Sequence, residues 1–227
     1  MQEKLFLVEG KKSILEVAHS DYKIVKIIAT SAFIEENNGL VSNEDTFRAT
    51  EKELSSWGSL KNNNSAIAIV KQMENDIVTP INKEEWVLAL CDIKDPGNLG
   101  TILRTADWYG IKNVVASPEC VDYYNPRAVQ ASMGSFTRIQ YFTTPLLPFL
   151  HHLDRPVYGA DMHGMSVYEV NPDRAGVVLL GSESHGLPSS LDEVISQRIT
   201  IPRIGGAESL NVAVSSAIIL DNFIGKH

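Results

Sequence analysis

Hydrophobic and polar positions fall into two blocks with different rhythms. In the first, residues 4 to 8 read as a strand that opens onto Val8-Glu9-Gly10. Ser13 is placed to cap a short helix with Ile14, Leu15 and Ala18 on one face. Ile24 to Thr30 is β-branched and apolar, the pattern of a buried strand. Asn37-Asn38-Gly39 marks a turn, and Thr46 through Trp57 reads as helix, with Phe47, Leu54 and Trp57 apolar among charges. After a loop at Asn62-Asn63-Asn64, Ser65 to Val70 is another strand. These elements predict a small α/β module, and its scattered Glu and Lys read as solvated faces.

Residues 74 to 85 are polar and contain Pro80, so a boundary is expected near 80. The expected units are 1–78, a linker at 79–85, and 86–227. The second block alternates regularly. Strands are predicted at Trp86–Cys91, Val114–Ser117, Arg138–Phe142, Val157–Ala160, Val177–Gly181 and Arg198–Ile201. Helices are predicted at Asn98–Gly110, Pro126–Met133, Leu146–Leu153, Pro188–Ile195 and Leu210–Ile224. Alternation at this spacing implies an α/β fold with a parallel sheet covered on both faces. In the last helix Leu210, Ala213, Val214, Ala217 and Ile218 form one apolar stripe, with Ile219, Leu220, Phe223 and Ile224 beside it. A helix apolar nearly all round is buried on more than one side, by its own chain or by a second subunit.

Composition adds limits rather than a function. The chain has 227 residues, 44% hydrophobic and 21% charged, which is ordinary for a globular protein. The net charge of −8 argues against strong non-specific nucleic-acid binding but leaves room for a local basic groove. Cys91 and Cys120 are too few for a disulfide framework, and with no metal-ligand spacing they read as reduced cysteines of a cytoplasmic protein. His151-His152 has no metal spacing either. No stretch approaches a membrane span, and Leu5-Phe6-Leu7-Val8, ended by Glu9, is too short for a signal peptide.

Three segments carry candidate chemistry. The first is Asp95-Pro96-Gly97-Asn98-Leu99-Gly100-Thr101-Ile102-Leu103-Arg104-Thr105-Ala106, which follows a strand and opens a helix. Leu99, Ile102, Leu103 and Ala106 form its buried stripe, which leaves Arg104 on the opposite flank with Thr101 and Trp108. Asn98 lies at or near the N-cap, as a cap or as a ligand-facing group. The second segment is Gly181-Ser182-Glu183-Ser184-His185-Gly186-Leu187. Ser184 does not fit the nucleophile elbow G-x-S-x-G, because residue 182 is Ser, and His185 reads as a loop residue. The third runs from Ile201-Pro202-Arg203 across Gly205-Gly206 to Glu208-Ser209-Leu210-Asn211-Val212-Ala213, a glycine loop feeding a helix N-terminus.

In order and spacing these segments resemble the SpoU (TrmH) family of RNA ribose 2′-O-methyltransferases, within the SpoU–TrmD (SPOUT) superfamily. They match its D-P-x-N-x-G-x-[IV]-x-R-[ST]-A, its G-x-E-x-x-G-[LI] and its I-P-…-E-S-L-N-V-[AS]. Val129 to Ser135 is similar to the family's mid-domain segment, and the match covers residues 86 to 224. More loosely, Phe6-Leu7-Val8-Glu9-Gly10 resembles the start of the family's ribosomal-protein-like substrate-binding domain, which in related chains often follows a short basic leader. Arg203 stands where the family commonly has an apolar residue.

The resemblance implies a methyltransferase domain closed by a deep trefoil knot, a homodimer, and S-adenosylmethionine as methyl donor without a metal. Gly181, Ile201 and Leu210 are then expected to line the cofactor, with Gly159, Ala160 and Gly186 as further candidates. Arg104 is expected to act on the target ribose, helped by Asn98, Ser209 and Asn211. Glu183 is expected either to act in catalysis or to hold Asn98 and its loop in place. The substrate is expected to be structured RNA, ribosomal before transfer RNA. Arg104 is either the proton acceptor or, because a guanidinium is practically always charged, a clamp on phosphate and developing alkoxide. A non-enzymatic RNA-binding assembly factor on the same fold is the alternative. A dinucleotide enzyme is disfavoured by the missing glycine fingerprint.

Overall fold

Two sheets divide the chain between them. The computed structural model describes residues 4–40, 45–73, 81–172 and 174–225. The first sheet belongs to β1 (Leu5–Glu9), α1 (Lys11–Ala18), β2 (Ile24–Ala29), α2 (Ser31–Glu36), β3 (Thr46–Arg48), α3 (Glu51–Trp57) and β4 (Ala66–Lys71). Its order is β1-β4-β2-β3, with β4 antiparallel to both neighbours and β2 parallel to β3.

Local chemistry corrects several sequence expectations here. Ser13 does not cap α1. The helix starts at Lys11 behind Gly10, whose φ of 85° suits glycine, and Ser13 is buried inside it. Thr46–Trp57 is not one helix, because Thr46–Arg48 pairs with β2 as an edge strand. Helix α3 starts only after Thr50, where a reciprocal capping box forms: Thr50 Oγ1 accepts from Glu53 N and Glu53 Oε2 accepts from Thr50 N. That Thr-x-x-Glu signal outweighs the apolar spacing of Phe47 and Trp57, both of which are exposed. Helix α2 was not foreseen; Thr30 caps it through Phe33 N.

The second sheet comprises β5 (Val87–Leu90), β6 (Asn113–Ala116), β7 (Gln140–Thr143), β8 (Val157–Ser166), β9 (Val177–Leu180) and β10 (Gln197–Thr200). The α-helices between and after them are α4 (Pro96–Trp108), α5 (Pro126–Ala131), α6 (Leu146–Leu153) and α7 (Val212–Ile224). The sheet order is β10-β8-β9-β5-β6-β7 and every pairing is parallel. Strands β5, β6 and β9 are buried at every position, as expected of strands covered on both faces. Their side chains divide with period two: Leu88, Leu90, Val114, Val178 and Leu180 join one core, while Val87, Ala89, Val115, Val177 and Leu179 join the other. The helix expected at Pro188–Ile195 is a 3-10 segment at Ser189–Val194.

The apolar face of α7 is rotated from the one expected. Val212, Ala213, Ser216, Ile219, Leu220 and Phe223 are buried, whereas Leu210 precedes the helix and Val214 is exposed. The difference arises because the helix begins at Val212, capped by Asn211, and packs beside α4.

The first core cluster runs without a break into the N-terminal sheet. Phe136, fully buried, stands edge-on to Phe6 at 5.8 Å and Tyr22 at 5.4 Å. Tyr124 lies 4.5 Å from Phe6, and its hydroxyl is 3.3 Å from that of Tyr22. Arg138 joins Glu16 on α1 to Asp107 on α4. Residues 81–85 of the expected linker are also held, because Arg155 donates to the carbonyls of Ile81, Asn82 and Glu85 at 2.7–2.8 Å. Positions 79 and 80 lie outside the described residues. Among the described residues, no helix is long and apolar enough to cross a membrane.

This junction generates two predictions. Phe136→Ala removes a ring shared by both sheets and should cost about 3–5 kcal/mol in urea unfolding, with both units melting together. Burial, first of all, pushes the hydroxyls of Tyr22, Tyr123 and Tyr141 far above the ordinary phenol value. The folded state therefore keeps protons that the unfolded chain releases. Stability should be intact below about pH 10 and fall as pH rises past it, as read from urea midpoints between pH 8 and 11.

Candidate active site

Strand order sets where a ligand can sit. After β5 the chain moves outward to β6 and β7, and after β9 it crosses the other way to β10. The loops leaving β5 and β9 therefore diverge at the carboxyl edge of the sheet and leave a crevice between them. The first and second motif segments occupy those two loops.

The loop after β5 ends in an Asp-Pro helix start. Asp95 is the N-cap of α4, accepting from Asn98 N at 2.8 Å, and Pro96 takes the first helical position. Asn98 is thus not the cap, and its side chain is free for other work. Its Nδ2 donates to Glu183 Oε1 at 3.0 Å.

Glu183 rises from the loop after β9. A Cβ on Gly181 would lie 2.4 Å from the backbone of Gly186, so the two ends of this loop can meet only at glycine. Gly186 has a φ of 65°, its N donates to Ser182 O, and the backbone between turns outward. Ser184 and His185 are exposed and share no hydrogen bond, so they form no nucleophile–base pair. Cys91 is buried, and that burial pushes its thiol up to about 11, away from the thiolate form.

The third segment completes the cluster. Asn211 caps α7, its Oδ1 accepting from Ala213 N at 3.0 Å and Val214 N at 3.4 Å. Its amide nitrogen consequently faces the other two segments, donating to Asn98 Oδ1 at 2.9 Å and Glu183 Oε1 at 2.7 Å. Val212 N reaches the same Glu183 oxygen at 3.1 Å. One carboxylate oxygen thus gathers three N–H donors at the starts of two helices, where negative charge is favoured. The helices then run side by side to a second tie, Tyr109 Oη to Asp221 Oδ1 at 3.0 Å.

The remaining expected residues surround this cluster without joining it. Arg104 lies two turns into α4 on the exposed flank with Thr101 and Trp108, and among the described residues its side chain has no hydrogen bond or ion pair. Ser209 and Leu210 lie in the exposed run from 202 to 211. Ile201 is half-buried against the core. Gly159 is buried and Ala160 half-buried in β8, and a Cβ on Gly159 would come within 3.0 Å of Leu187 and Ile195. No group of described His, Cys, Asp and Glu residues could hold a metal. Sequence reasoning missed Asp95, although Pro at a first helical position points to a cap just before it. It also missed Gly100, where a Cβ would strike Ala128 O at 2.3 Å as α4 crosses α5.

A sequence model of the SpoU rRNA Methylase family matches residues 85–221. The chain is 28% identical over 224 residues to the 23S rRNA (guanosine(2553)-2′-O)-methyltransferase RlmP of Bacillus subtilis strain 168, covering 97% of this chain and 88% of that protein. A solved structure described as an RNA methyltransferase of the TrmH family from Porphyromonas gingivalis superposes with a TM-score of 0.84 at 30% identity, covering 99% of this chain and 91% of that one. An AdoMet-bound rRNA methyltransferase from Sinorhizobium meliloti superposes with a TM-score of 0.83 at 26% identity, covering 96% and 86%.

The shared oxygen makes a direct test possible. Glu183→Ala leaves Asn98, Asn211 and Val212 N without their common acceptor. Because water can replace it in this exposed setting, stability should fall by only about 1 kcal/mol in urea unfolding. The amide of Val212 should lose protection in hydrogen exchange.

Proposed function

The chain belongs to the SpoU rRNA Methylase family, and on that premise we propose that it methylates a ribose 2′-hydroxyl of structured RNA, ribosomal RNA before transfer RNA, in the cytoplasm. Its methyl donor is S-adenosylmethionine. The observation that carries the reading is the Asn98–Glu183–Asn211 network, which ties all three motif segments together at the crevice.

The residues present fit the donor. Glycine at 181 lets the chain pack on the Gly186 backbone, glycine at 159 makes room for Leu187 and Ile195, and Gly186 takes a φ of 65°, so these segments converge tightly at the crevice. Ile201 and Leu210 add apolar surface at either end of the exposed loop. We assign these residues, with Ala160, to the cofactor. Bound there, S-adenosylmethionine supplies a methyl group on a sulfonium, electrophilic enough to need no metal.

The chain's remaining task is to aim and activate the hydroxyl. On transfer of the methyl to the 2′-oxygen the sulfonium would be left as a neutral thioether and the hydroxyl proton would pass to solvent water, with negative charge developing on the oxygen as that proton departs. Arg104 carries a permanently charged guanidinium with no partner among the described residues. It grips the phosphate beside the target ribose and stabilises the oxygen as charge develops. Ser209 and Asn211 orient the ribose. Asn98 fixes Asn211, and Glu183 holds both asparagines, a positioning role supported by its three donors.

The finer architecture follows the same reading. Residues 1–78 recruit RNA, 79–85 link, and 86–227 form the methyltransferase unit, whose C-terminal segment threads a trefoil knot. A second copy covers the outer face of α7 and α4, where Val214 is 49% and Trp108 84% exposed. That contact brings Arg104 to the partner's cofactor.

Three measurements test this reading. Purified protein with S-adenosylmethionine should restore a 2′-O-methyl mark on ribosomal RNA from a strain lacking the gene; no mark on any RNA overturns the assignment. Arg104→Ala should bind S-adenosylmethionine normally by calorimetry yet lose methyl transfer by about 100-fold or more. Val214→Asp should sediment as a monomer where the parent protein sediments as a dimer.

A further inference from the structure

Beside the expected cofactor residues, Arg198 joins three separate segments. We propose that Arg198 is a positioning residue for the cofactor site, bolting together the three stretches of chain that form it. The inference rests on the placement of S-adenosylmethionine argued above. Arg198 lies in β10 and directs Nη1 to Asp161 in β8 and Nη2 to Asp192 in the 3-10 segment at 189–194. A planar guanidinium with a fixed fork of donors is suited to holding two carboxylates at a set angle.

Strand β8 needs such a fastening. It meets β10 in two separate runs: Tyr158 and Gly159 face Gln197 and Arg198, and then Met165 and Ser166 face Ile199 and Thr200. Residues 160–164 have no ladder partner on β10, a bulge in the pairing that lies against Arg198. Asp161, the residue Arg198 holds, also accepts from His163 N at 2.9 Å, and Thr200 Oγ1 donates to Met162 O at 3.3 Å. Gly164 presses on β10 so closely that a Cβ would stand 2.5 Å from the Arg198 carbonyl carbon.

Each segment fastened by Arg198 leads into a part of the cofactor site. Gly159 and Ala160 open the detour in β8. The Gly181–Gly186 loop continues through Leu187 into the segment that carries Asp192. Ile201 follows Arg198 by three residues in the chain. Asp192 is 55% exposed, so its pair with Arg198 contributes little to folding, while the part-buried Arg198–Asp161 pair, 32% and 24% exposed, contributes modestly. Their effect is on placement, which separates them experimentally from a merely structural contact.

The experiment measures S-adenosylmethionine binding by calorimetry, steady-state methylation of ribosomal RNA from a strain lacking the gene, and ligand-free melting. Arg198→Ala should raise the Kd and KM for S-adenosylmethionine about tenfold. Its kcat at saturating donor and its KM for RNA should stay within about twofold, and ligand-free melting should move by only about 5 °C or less. Arg198→Lys, a point charge that cannot span both carboxylates, should recover part of the affinity. Gly164→Ala, which keeps Arg198 but lifts the detour off β10, should reproduce the binding loss. Unchanged donor affinity in Arg198→Ala overturns the inference, as does a loss that tracks melting and is not relieved by Lys. If the parent protein binds no S-adenosylmethionine, the functional reading fails, and this inference with it.

Discussion

A single carboxylate oxygen, Glu183 Oε1, fixes how the three motif segments meet. It accepts from Asn98, Asn211 and Val212 N, and so ties the start of α4 to the start of α7. The two asparagine hydrogen bonds are exposed to water, the one from Val212 N is half-buried, and each is individually modest. What makes the arrangement reproducible lies beneath it. Strands β5 and β9 are buried at every position and paired in register from Val87 with Val177 to Leu90 with Leu180. The loops they deliver therefore start from adjacent fixed points. The carboxylate needs only to select among the few geometries those points allow. The exposed flank of α4, with Arg104, inherits its direction from that choice.

The same economy explains how a chain of net charge −8 can serve an RNA enzyme. The sum counts cations that are already committed. Arg138 is held by Glu16 and Asp107, Arg198 by Asp161 and Asp192, and Arg155 by three backbone carbonyls. Those guanidiniums serve as internal fasteners. Arg104 has no such partner among the described residues, and Arg127 is exposed on the neighbouring α5. Nucleic-acid contact depends on which positive charges remain unneutralised and where they point. Net charge reports neither.

What was legible in the sequence follows from the range of the forces involved. The parallel sheet was legible because a strand covered on both faces must be apolar throughout, as Val87–Leu90 and Val177–Leu180 are. The three motif segments were legible because their residue order is itself the signal. The meeting of Asn98, Glu183 and Asn211 was not, since these residues are 85 and 28 positions apart and only strand order brings them together. Local errors had local causes. Thr46–Trp57 reads as one helix until the capping box at Thr50 and Glu53 is weighed against the apolar spacing. The buried face of α7 was misplaced because its apolar residues surround the helix, so periodicity could not choose among them. Arg198 carried no signal at all, since a long-range ion pair leaves no mark in the spacing of either partner.

The aromatic junction extends the argument from the site to the substrate. Phe6 and Tyr22 of the first sheet share one core with Tyr124 and Phe136 of the second. Arg138 clamps the same junction from outside, and Arg155 holds residues 81–85 against the second unit. A close-packed aromatic contact has few alternative arrangements, so the first unit is held at a set distance and angle from the crevice. On the proposed reading, RNA held by that unit reaches the crevice through a fixed span. Selection of one ribose then needs little base contact near the methyl donor, because the separation between two rigidly joined surfaces already restricts which nucleotide can arrive. A substitution at Phe136 would relax that restriction without touching any residue at the crevice.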